Sequence, residues 1–428
     1  MTTAGDESLA ALVARQRPGW SLERAFYTAP EIFERERERL FSRYWILAGH
    51  ASQLARAGDY FLFEVAGECL ILIRDQTGDI RALYNVCRHR GSRVLLEPAG
   101  NVAALVCRYH GWRYARDGSL QYAAHMPEDF DPSCFGLRHA QVQVLEGLIF
   151  VCPGDAPAAG FGHVAEGLAP FLKLHGTAGA RIARRTVFPV AANWKLTVEN
   201  YLECYHCKIA HREYCGVEIK AERIGDGSPR AMAAYREREA QWRPLAESLG
   251  TALPDYGSGD DPRVGGPGAF FGAAYRAPLR DGYASATRDG QPAAPLMGAF
   301  TAHDGGETAL GAGPFTYMLA YNDYAAWFQF VPRDALHSDL IVTWLVAGTA
   351  RPGDDYDEER VAWLWTVTSQ QDKAIIEANA AGVSSPSYLP GPPGLLEQDV
   401  VGFRQWYLGL MGAPGAMQPA GGSRYFGF

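Results

Sequence analysis

The sequence lacks an apolar run long enough to cross a membrane, an excess of basic charge and a leader of the secretory type. Its longest apolar run, residues 340–348, has the length of a β-strand, whereas a membrane helix needs about 20 residues. A net charge of −8 argues against a nucleic-acid-binding surface. The N-terminus carries Asp6 and Glu7 where a signal peptide has basic and then apolar residues. We therefore expect a cytoplasmic protein without a membrane or nucleic-acid partner.

Histidine and cysteine are scarce, with eleven and eight in 428 residues. Without an export signal, cysteines beside histidines favour metal ligands or packed thiols over disulfides. The length and the 47% apolar content indicate a folded chain of more than one domain.

Three segments differ in their pattern of apolar residues. Residues 1–44 have partly helical spacing, and residues 45–158 consist of short apolar runs broken by glycine and aspartate, which predicts a β-rich module. Residues 159–428 combine strand patterns, a stretch rich in glycine and proline, and a helix predicted over residues 357–381. The boundaries predicted from sequence are therefore 1–44, 45–158 and 159–428.

Cysteine and histidine alternate in a first cluster. Cys87 and His89 are separated by one residue, and Cys107 and His110 follow with two residues between them. Two thiolates on one iron and two imidazoles on the other form the ligand set of a Rieske [2Fe-2S] centre. A structural zinc site is the alternative, although zinc fingers usually group their cysteines apart from their histidines. Four unrelated buried residues would be a further explanation.

A second cluster combines histidines with acids. His206 and His211 lie close to Glu203, and two histidines with one carboxylate are typical of the non-haem Fe(II) site that leaves positions open for O2 and substrate. Five residues correspond to roughly 140° around a helix, so the helix must end or bulge for both histidines to meet one metal. Asp372, on the predicted C-terminal helix, is the preferred third ligand and Glu377 the second choice. A solvated helix acid remains the alternative for Asp372.

Cys204 and Cys207 form a C-x-x-C pattern around His206. No βαβ unit precedes them, and the histidine lies inside the pattern. We therefore interpret them as packed thiols rather than as a thioredoxin-type pair.

The residues around both clusters resemble the large (alpha) oxygenase component of Rieske non-haem iron oxygenases. Cys87-RHRG and Cys107-RYHGWRYARDGSL are similar to the two Rieske loops, although Arg108 stands where many members have proline. The resemblance implies an α+β fold, with a β-rich Rieske [2Fe-2S] domain and a helix-grip catalytic domain whose antiparallel sheet is curved. Residues 1–44 would pack with the catalytic domain.

The resemblance also implies cofactors and partners. The [2Fe-2S] ligands would be Cys87, His89, Cys107 and His110, and the Fe(II) ligands His206, His211 and Asp372. Glu203 matches the acid that links the two metal centres between subunits of a homotrimer; a surface glutamate is the alternative. Electrons would come from a separate NAD(P)H-dependent reductase with flavin and [2Fe-2S].

Within the family, the chain is most similar to the glycine betaine, stachydrine and carnitine monooxygenases, because Glu203 replaces the aspartate of ring dihydroxylases and because of the segment after Gln371. This similarity implies oxidative N-demethylation or C–N cleavage of a quaternary ammonium substrate. Arg212 departs from the usual proline after the second histidine. Hydroxylation of an aromatic acid is the alternative, followed by a non-catalytic electron carrier or a zinc-stabilised binding protein. Candidate pocket aromatics are Tyr201, Phe270, Phe271, Tyr321, Tyr324, Trp327 and Phe328.

Overall fold

The computed structural model describes residues 4–155, 161–220, 226–257 and 272–412. The chain divides into two compact units. One contains Phe41–Pro157, and the other combines Met1–Leu40 with Ala158–Phe428.

The smaller unit is built on a seven-stranded sheet with the order β1-β10-β9-β4-β3-β2-β5 and a three-stranded sheet with the order β6-β7-β8. The strands are β1 (Ile46–His50), β2 (Asp59–Val65), β3 (Glu68–Arg74), β4 (Ile80–Tyr84), β5 (Ala99–Asn101), β6 (Leu105–Val106), β7 (Arg113–Tyr114), β8 (Leu120–Tyr122), β9 (His139–Leu145) and β10 (Leu148–Cys152). Short 3-10 helices cover Ala51–Leu54 and Pro132–Phe135.

Two tight hairpins set the register of this sheet. Ala66 and Gly67 connect β2 to β3, and Glu146 and Gly147 connect β9 to β10; all four have positive φ. Two-residue loops of this kind match the twist of antiparallel strands, and glycine adopts them without strain. The predicted β-rich module is therefore confirmed.

The larger unit surrounds a six-stranded antiparallel sheet with the order β11-β16-β15-β14-β13-β12. Its strands are β11 (Arg181–Val190), β12 (Gly272–Pro278), β13 (Gly306–Ala312), β14 (Thr316–Ala320), β15 (Tyr324–Pro332) and β16 (Ser338–Val346). Nearly all residues of β12 to β16 are buried, which explains their continuous apolar runs. The predicted fold class, with a curved antiparallel sheet in the catalytic domain, is confirmed.

Helices cover this sheet. They are α1 (Ala4–Ala14), α2 (Arg24–Thr28), α3 (Pro30–Glu36), α4 (Gly162–Leu174), α5 (Trp194–Tyr201), α6 (Cys207–Ala210), α7 (Arg212–Val217), α8 (Pro229–Ser248), α9 (Glu358–Ser384) and α10 (Gln398–Met411). A π-helical turn covers Arg37–Phe41, and a 3-10 turn covers Thr177–Gly179. The Asp357 side chain caps α9 by accepting from the backbone N–H of Arg360, which confirms the start of the predicted C-terminal helix.

No helix in the described parts of the chain combines the length and the apolar character needed to span a membrane.

A buried ion pair holds the N-terminal segment to the rest of the larger unit. Glu36, which is fully buried, accepts from Lys195 Nζ at 2.5 Å, from Trp194 Nε1 at 2.8 Å and from the Tyr407 hydroxyl at 2.6 Å. These partners come from α5 and α10. One carboxylate therefore satisfies donors on two helices that are distant in sequence.

We expect Glu36→Ala to lower the free energy of unfolding by about 3–5 kcal/mol, because Lys195 would remain buried without its counter-ion. Urea titration followed by tryptophan fluorescence measures this change. Glu34→Ala is the matched control: Glu34 pairs with Arg37 on the surface, and its loss should cost about 1 kcal/mol or less. Equal effects of the two substitutions would contradict a structural role for the Glu36 pair.

Candidate metal centres

Two loops of similar geometry present the first cluster. In each loop the cysteine carbonyl accepts from a glycine N–H four residues later: Gly91 donates to Cys87 at 2.9 Å, and Gly111 donates to Cys107 at 3.0 Å. Both glycines have positive φ, which allows a tight turn directly beside the ligands.

The cysteines and histidines of these loops lie in different surroundings. Cys87 and Cys107 are buried, whereas His89 and His110 are exposed, with their Nδ1 atoms 3.1 Å apart. Burial raises the pKa of the Cys87 thiol, and partial desolvation together with His89 lowers the pKa of His110. A buried pair of thiols beside an exposed pair of imidazoles fits a cluster in which two cysteines hold the inner iron and two histidines hold the outer one.

Tyr114 supports this cluster, a contact that the sequence analysis missed. Its hydroxyl lies 3.2 Å from Cys87 Sγ and accepts from the Arg88 backbone N–H at 3.0 Å. Trp112 stacks on the His89 ring with centroids 5.0 Å apart. The only signal in the sequence was the position of both aromatics directly after the second loop.

The second cluster assembles from two breaks in a helix and one distant helix. Helix α5 ends at Tyr201, the short helix α6 lies between the two histidines, and the chain leaves helical geometry at His211 before α7 begins. The expected end of the helix therefore falls at the second histidine. Asp372 projects from α9, where its Oδ1 lies 3.0 Å from His211 Nε2 and 3.4 Å from His206 Nε2. The structure therefore brings the three predicted iron ligands together.

The electrostatics of this cluster favour a cation. Burial opposes ionisation of Asp372, but hydrogen bonds with both histidines lower its pKa below the ordinary value. Burial also opposes the charged form of His206, yet Asp372 and Glu203 raise its pKa to about 9. The raised pKa of His206 indicates that the carboxylates stabilise positive charge at this point, which a divalent metal would provide in place of a proton. The donor set of two imidazoles and one carboxylate fits a non-haem iron.

Additional hydrogen bonds fix the orientation of both imidazoles. Glu203 Oε1 lies 2.6 Å from His206 Nδ1, and Gln371 Oε1 lies 2.8 Å from His211 Nδ1. Gln371 in turn donates to Glu213 at 3.0 Å. With Nδ1 held in this way, Nε2 of each ring is left to face a metal. The sequence analysis predicted the Glu203 contact and missed Gln371 and Glu213.

Comparison with known proteins agrees with this arrangement. Residues 44–146 match the Rieske [2Fe-2S] domain, and residues 178–413 match the catalytic domain of the ring-hydroxylating alpha subunit. The chain belongs to the Rieske non-haem iron oxygenases. It is an oxygenase subunit and an oxidoreductase, its cofactors are a Rieske [2Fe-2S] cluster and a mononuclear iron, and it requires a separate reductase.

Relatives of this Rieske oxygenase have named activities. The glycine betaine monooxygenase oxygenase subunit of Chromohalobacter salexigens is 34% identical over 96% of this chain and 92% of its own length. The carnitine monooxygenase oxygenase subunit of Escherichia coli K12 is 34% identical over 46% of this chain and 54% of its own. A solved quaternary ammonium Rieske monooxygenase superimposes with a TM-score of 0.67 at 22% identity, over 94% of this chain and 98% of that one.

The pocket of this Rieske oxygenase adjoins the second cluster. Five aromatic rings line it, from Tyr201, Tyr214, Tyr317, Phe328 and Trp365. Two of these, Tyr201 and Phe328, were candidates from the sequence.

The other aromatic candidates have different positions. Trp327 precedes Phe328 on β15 and therefore points to the opposite face of the sheet. Tyr321 and Tyr324 are buried elsewhere and do not line the pocket, and Phe270 and Phe271 lie outside the described residues. A core position was the alternative for each of these candidates, and Trp327, Tyr321 and Tyr324 take it; sequence does not show which face of a strand meets the cavity.

Cys204 and Cys207 require a further correction. They are joined as a disulfide in the structure, whereas the sequence analysis predicts unpaired, packed thiols. Cys207 N–H donates to the Cys204 carbonyl, so a tight turn brings residues three apart into contact. That prediction rested on the missing βαβ unit and on the histidine inside the pattern, and neither feature prevents a bond across a tight turn.

Proposed function

We propose that this oxygenase subunit hydroxylates a C–H bond next to a quaternary ammonium nitrogen, using O2 and electrons from its reductase, and that N-demethylation or C–N cleavage follows. The observation that carries this proposal is the aromatic pocket beside the metal centre. A cation held against an aromatic face gains on the order of 0.5–2 kcal/mol per ring, so several rings form a binding site for a trimethylammonium group. The names of the relatives, glycine betaine and carnitine monooxygenase, support the same substrate class.

In this proposal, Cys87, His89, Cys107 and His110 bind the [2Fe-2S] cluster, and His206, His211 and Asp372 bind the mononuclear iron. The iron would supply the chemistry that activates O2 for insertion into a C–H bond. The protein orients both imidazoles through Glu203 and Gln371, and it excludes water from the reacting carbon with the five rings.

Glu203 is proposed as the electron bridge between subunits of a homotrimer. Its carboxylate is partly buried and holds His206, whereas His89 and His110 are exposed on the Rieske unit. A carboxylate between two imidazole N–H groups would connect the iron of one subunit to the cluster of the next. Exposed apolar side chains beside both sites, Tyr109 on one and Tyr205 and Ile209 on the other, support an interface. The proposed reductase carries flavin and [2Fe-2S] and uses NAD(P)H.

A substrate panel tests the proposed function. With O2, NADH and a compatible reductase, we expect formaldehyde or another aldehyde from betaines in amounts matching the NADH consumed. The same rings would also accept a flat aromatic acid, for which hydroxylated ring product would appear instead. Product from aromatic acids alone would reject the quaternary ammonium class.

Metal analysis distinguishes this enzyme from the remaining alternatives. A catalytic subunit should contain about three irons and two sulfides per chain, two irons in the cluster and one mononuclear. About two irons per chain would indicate an electron carrier. One zinc and no visible absorbance would indicate a zinc-stabilised protein.

A further inference from the structure

Two side chains of the pocket wall carry hydrogen-bond donors that have no partner among the described residues. These donors are Trp365 Nε1 and Thr368 Oγ1, and the two residues are only 3% and 4% exposed. A buried donor without a partner is unfavourable, because it has lost its water without a replacement. We therefore looked for the group that would accept from these donors when the pocket is occupied.

Both donors lie on one face of α9 together with the proposed iron ligand. Trp365, Thr368 and Asp372 follow the spacing i, i+3, i+7, which aligns side chains along one side of a helix. At 1.5 Å per residue, Thr368 lies about 6 Å and Trp365 about 10.5 Å along the helix axis from Asp372. The donors therefore form a row that leads away from the metal ligands.

The Trp365 ring is held in place by its neighbours. It meets Phe328 edge-to-face with centroids 5.2 Å apart and contacts Tyr214 at the same centroid distance. Because both neighbours also line the pocket, the indole cannot turn away without opening that wall.

The charged residues of the pocket lining limit how an anion could bind there. Its only ionisable carboxylates are Asp372 and Glu203, and the described lining contains no lysine or arginine. Away from the proposed iron and its histidine ligands, a substrate carboxylate in this pocket must therefore accept from neutral donors. Tyr201 already donates to Ser369 Oγ, at 3.4 Å, whereas the buried donors of Trp365 and Thr368 have no partner among the described residues.

We propose that Trp365 Nε1 and Thr368 Oγ1 bind the carboxylate of a zwitterionic substrate and so orient its ammonium end toward the iron ligands. This inference rests on the proposed function. Because the donors and Asp372 lie on one side of α9, a carboxylate bound to the donors leaves the ammonium end of the substrate on the side of the iron ligands. The enzyme would then select its substrate by the carboxylate as well as by the quaternary ammonium group.

Two near-isosteric substitutions test the donor pair. Trp365→Phe removes the N–H and keeps a ring, and Thr368→Val removes the O–H and keeps the volume. The anaerobic iron-loaded enzyme is titrated calorimetrically with glycine betaine and with choline, which has the same cation without the carboxylate. We expect Kd for glycine betaine to rise about tenfold in each variant, and Kd for choline to stay within about twofold.

Trp327→Phe is the matched control. Its indole Nε1 is also buried without a partner among the described residues, but Trp327 faces away from the pocket. This variant should leave both Kd values unchanged. Rieske absorbance and iron content confirm that each variant is folded and loaded.

Equal weakening of glycine betaine and choline would overturn the proposal, since it would indicate lost packing, and so would no weakening of either. Failure of the proposed function has a different signature, in which wild-type enzyme binds neither cation and turns over an aromatic acid. The same variants then test the donor pair with that acid and its amide. Loss of affinity confined to the acid would support the carboxylate site, and equal affinities would reject it.

Discussion

Replacing Asp372 with alanine should abolish turnover while leaving the Rieske absorbance intact. Asp372 is the only carboxylate within 3.4 Å of both histidines in the described structure, and its removal leaves two imidazoles to hold the iron. Loss of a group that merely orients a ligand typically costs about 10–100-fold, so loss of the ligand itself should exceed about 100-fold. The measurements are NADH-coupled product formation, iron content and the visible spectrum of the cluster.

Glu377→Ala is the control for this substitution. Glu377 was the second candidate ligand and lies on the same helix, but it accepts from the Ala191 backbone N–H at 2.9 Å and pairs with Lys373. The Glu377→Ala variant should therefore retain turnover. Normal turnover in Asp372→Ala, or loss of one iron in Glu377→Ala, would reverse the assignment.

Replacing Glu203 with glutamine should separate the two metal centres functionally. Glutamine keeps an acceptor for His206 Nδ1 but removes the negative charge and the ability to accept from two imidazoles at once. We expect both metals to remain bound, and transfer of an electron from the reduced cluster to the iron to slow by about 10–100-fold. Single-turnover experiments with pre-reduced enzyme and limiting O2 measure that rate directly.

Glu213→Gln is the companion variant. Glu213 acts one step further from the metal, through Gln371, so its neutralisation should affect iron affinity more than electron transfer at full loading. A Glu203→Gln enzyme with a normal single-turnover rate would remove Glu203 from the electron path. Glu203 would then be an ordinary glutamate near the end of a helix.

Much of the site was predictable because its chemistry is encoded locally. The mixed spacing of cysteine and histidine in the first cluster leaves few alternatives, and the turns that present it need glycines directly after the ligands. The same holds for the end of helix α6 at His211, since regular helical geometry cannot direct both histidine rings to one point. Asp372 lies 161 residues beyond His211, and only resemblance selected it from the other acids.

Other features depended on which side chains of a strand or helix face the neighbouring elements. Phe328 lines the pocket and Trp327 does not, although they are adjacent, because alternate residues of a strand face opposite sides. Tyr214, Tyr317 and Trp365 were missed for the same reason: each comes from a different element, and no sequence pattern shows that these elements meet.

The sequence by itself predicted the cysteine and histidine ligands, the β-rich module and the family of this oxygenase, because each depends on residue type and short-range spacing; the choice of Asp372 depended on resemblance. Only the tertiary structure decided which rings line the cavity, that Cys204 and Cys207 pair, and which buried donors have no partner among the described residues. These features depend on which side chains meet when segments distant in sequence pack together and bury their surfaces. Local residue spacing does not specify those contacts.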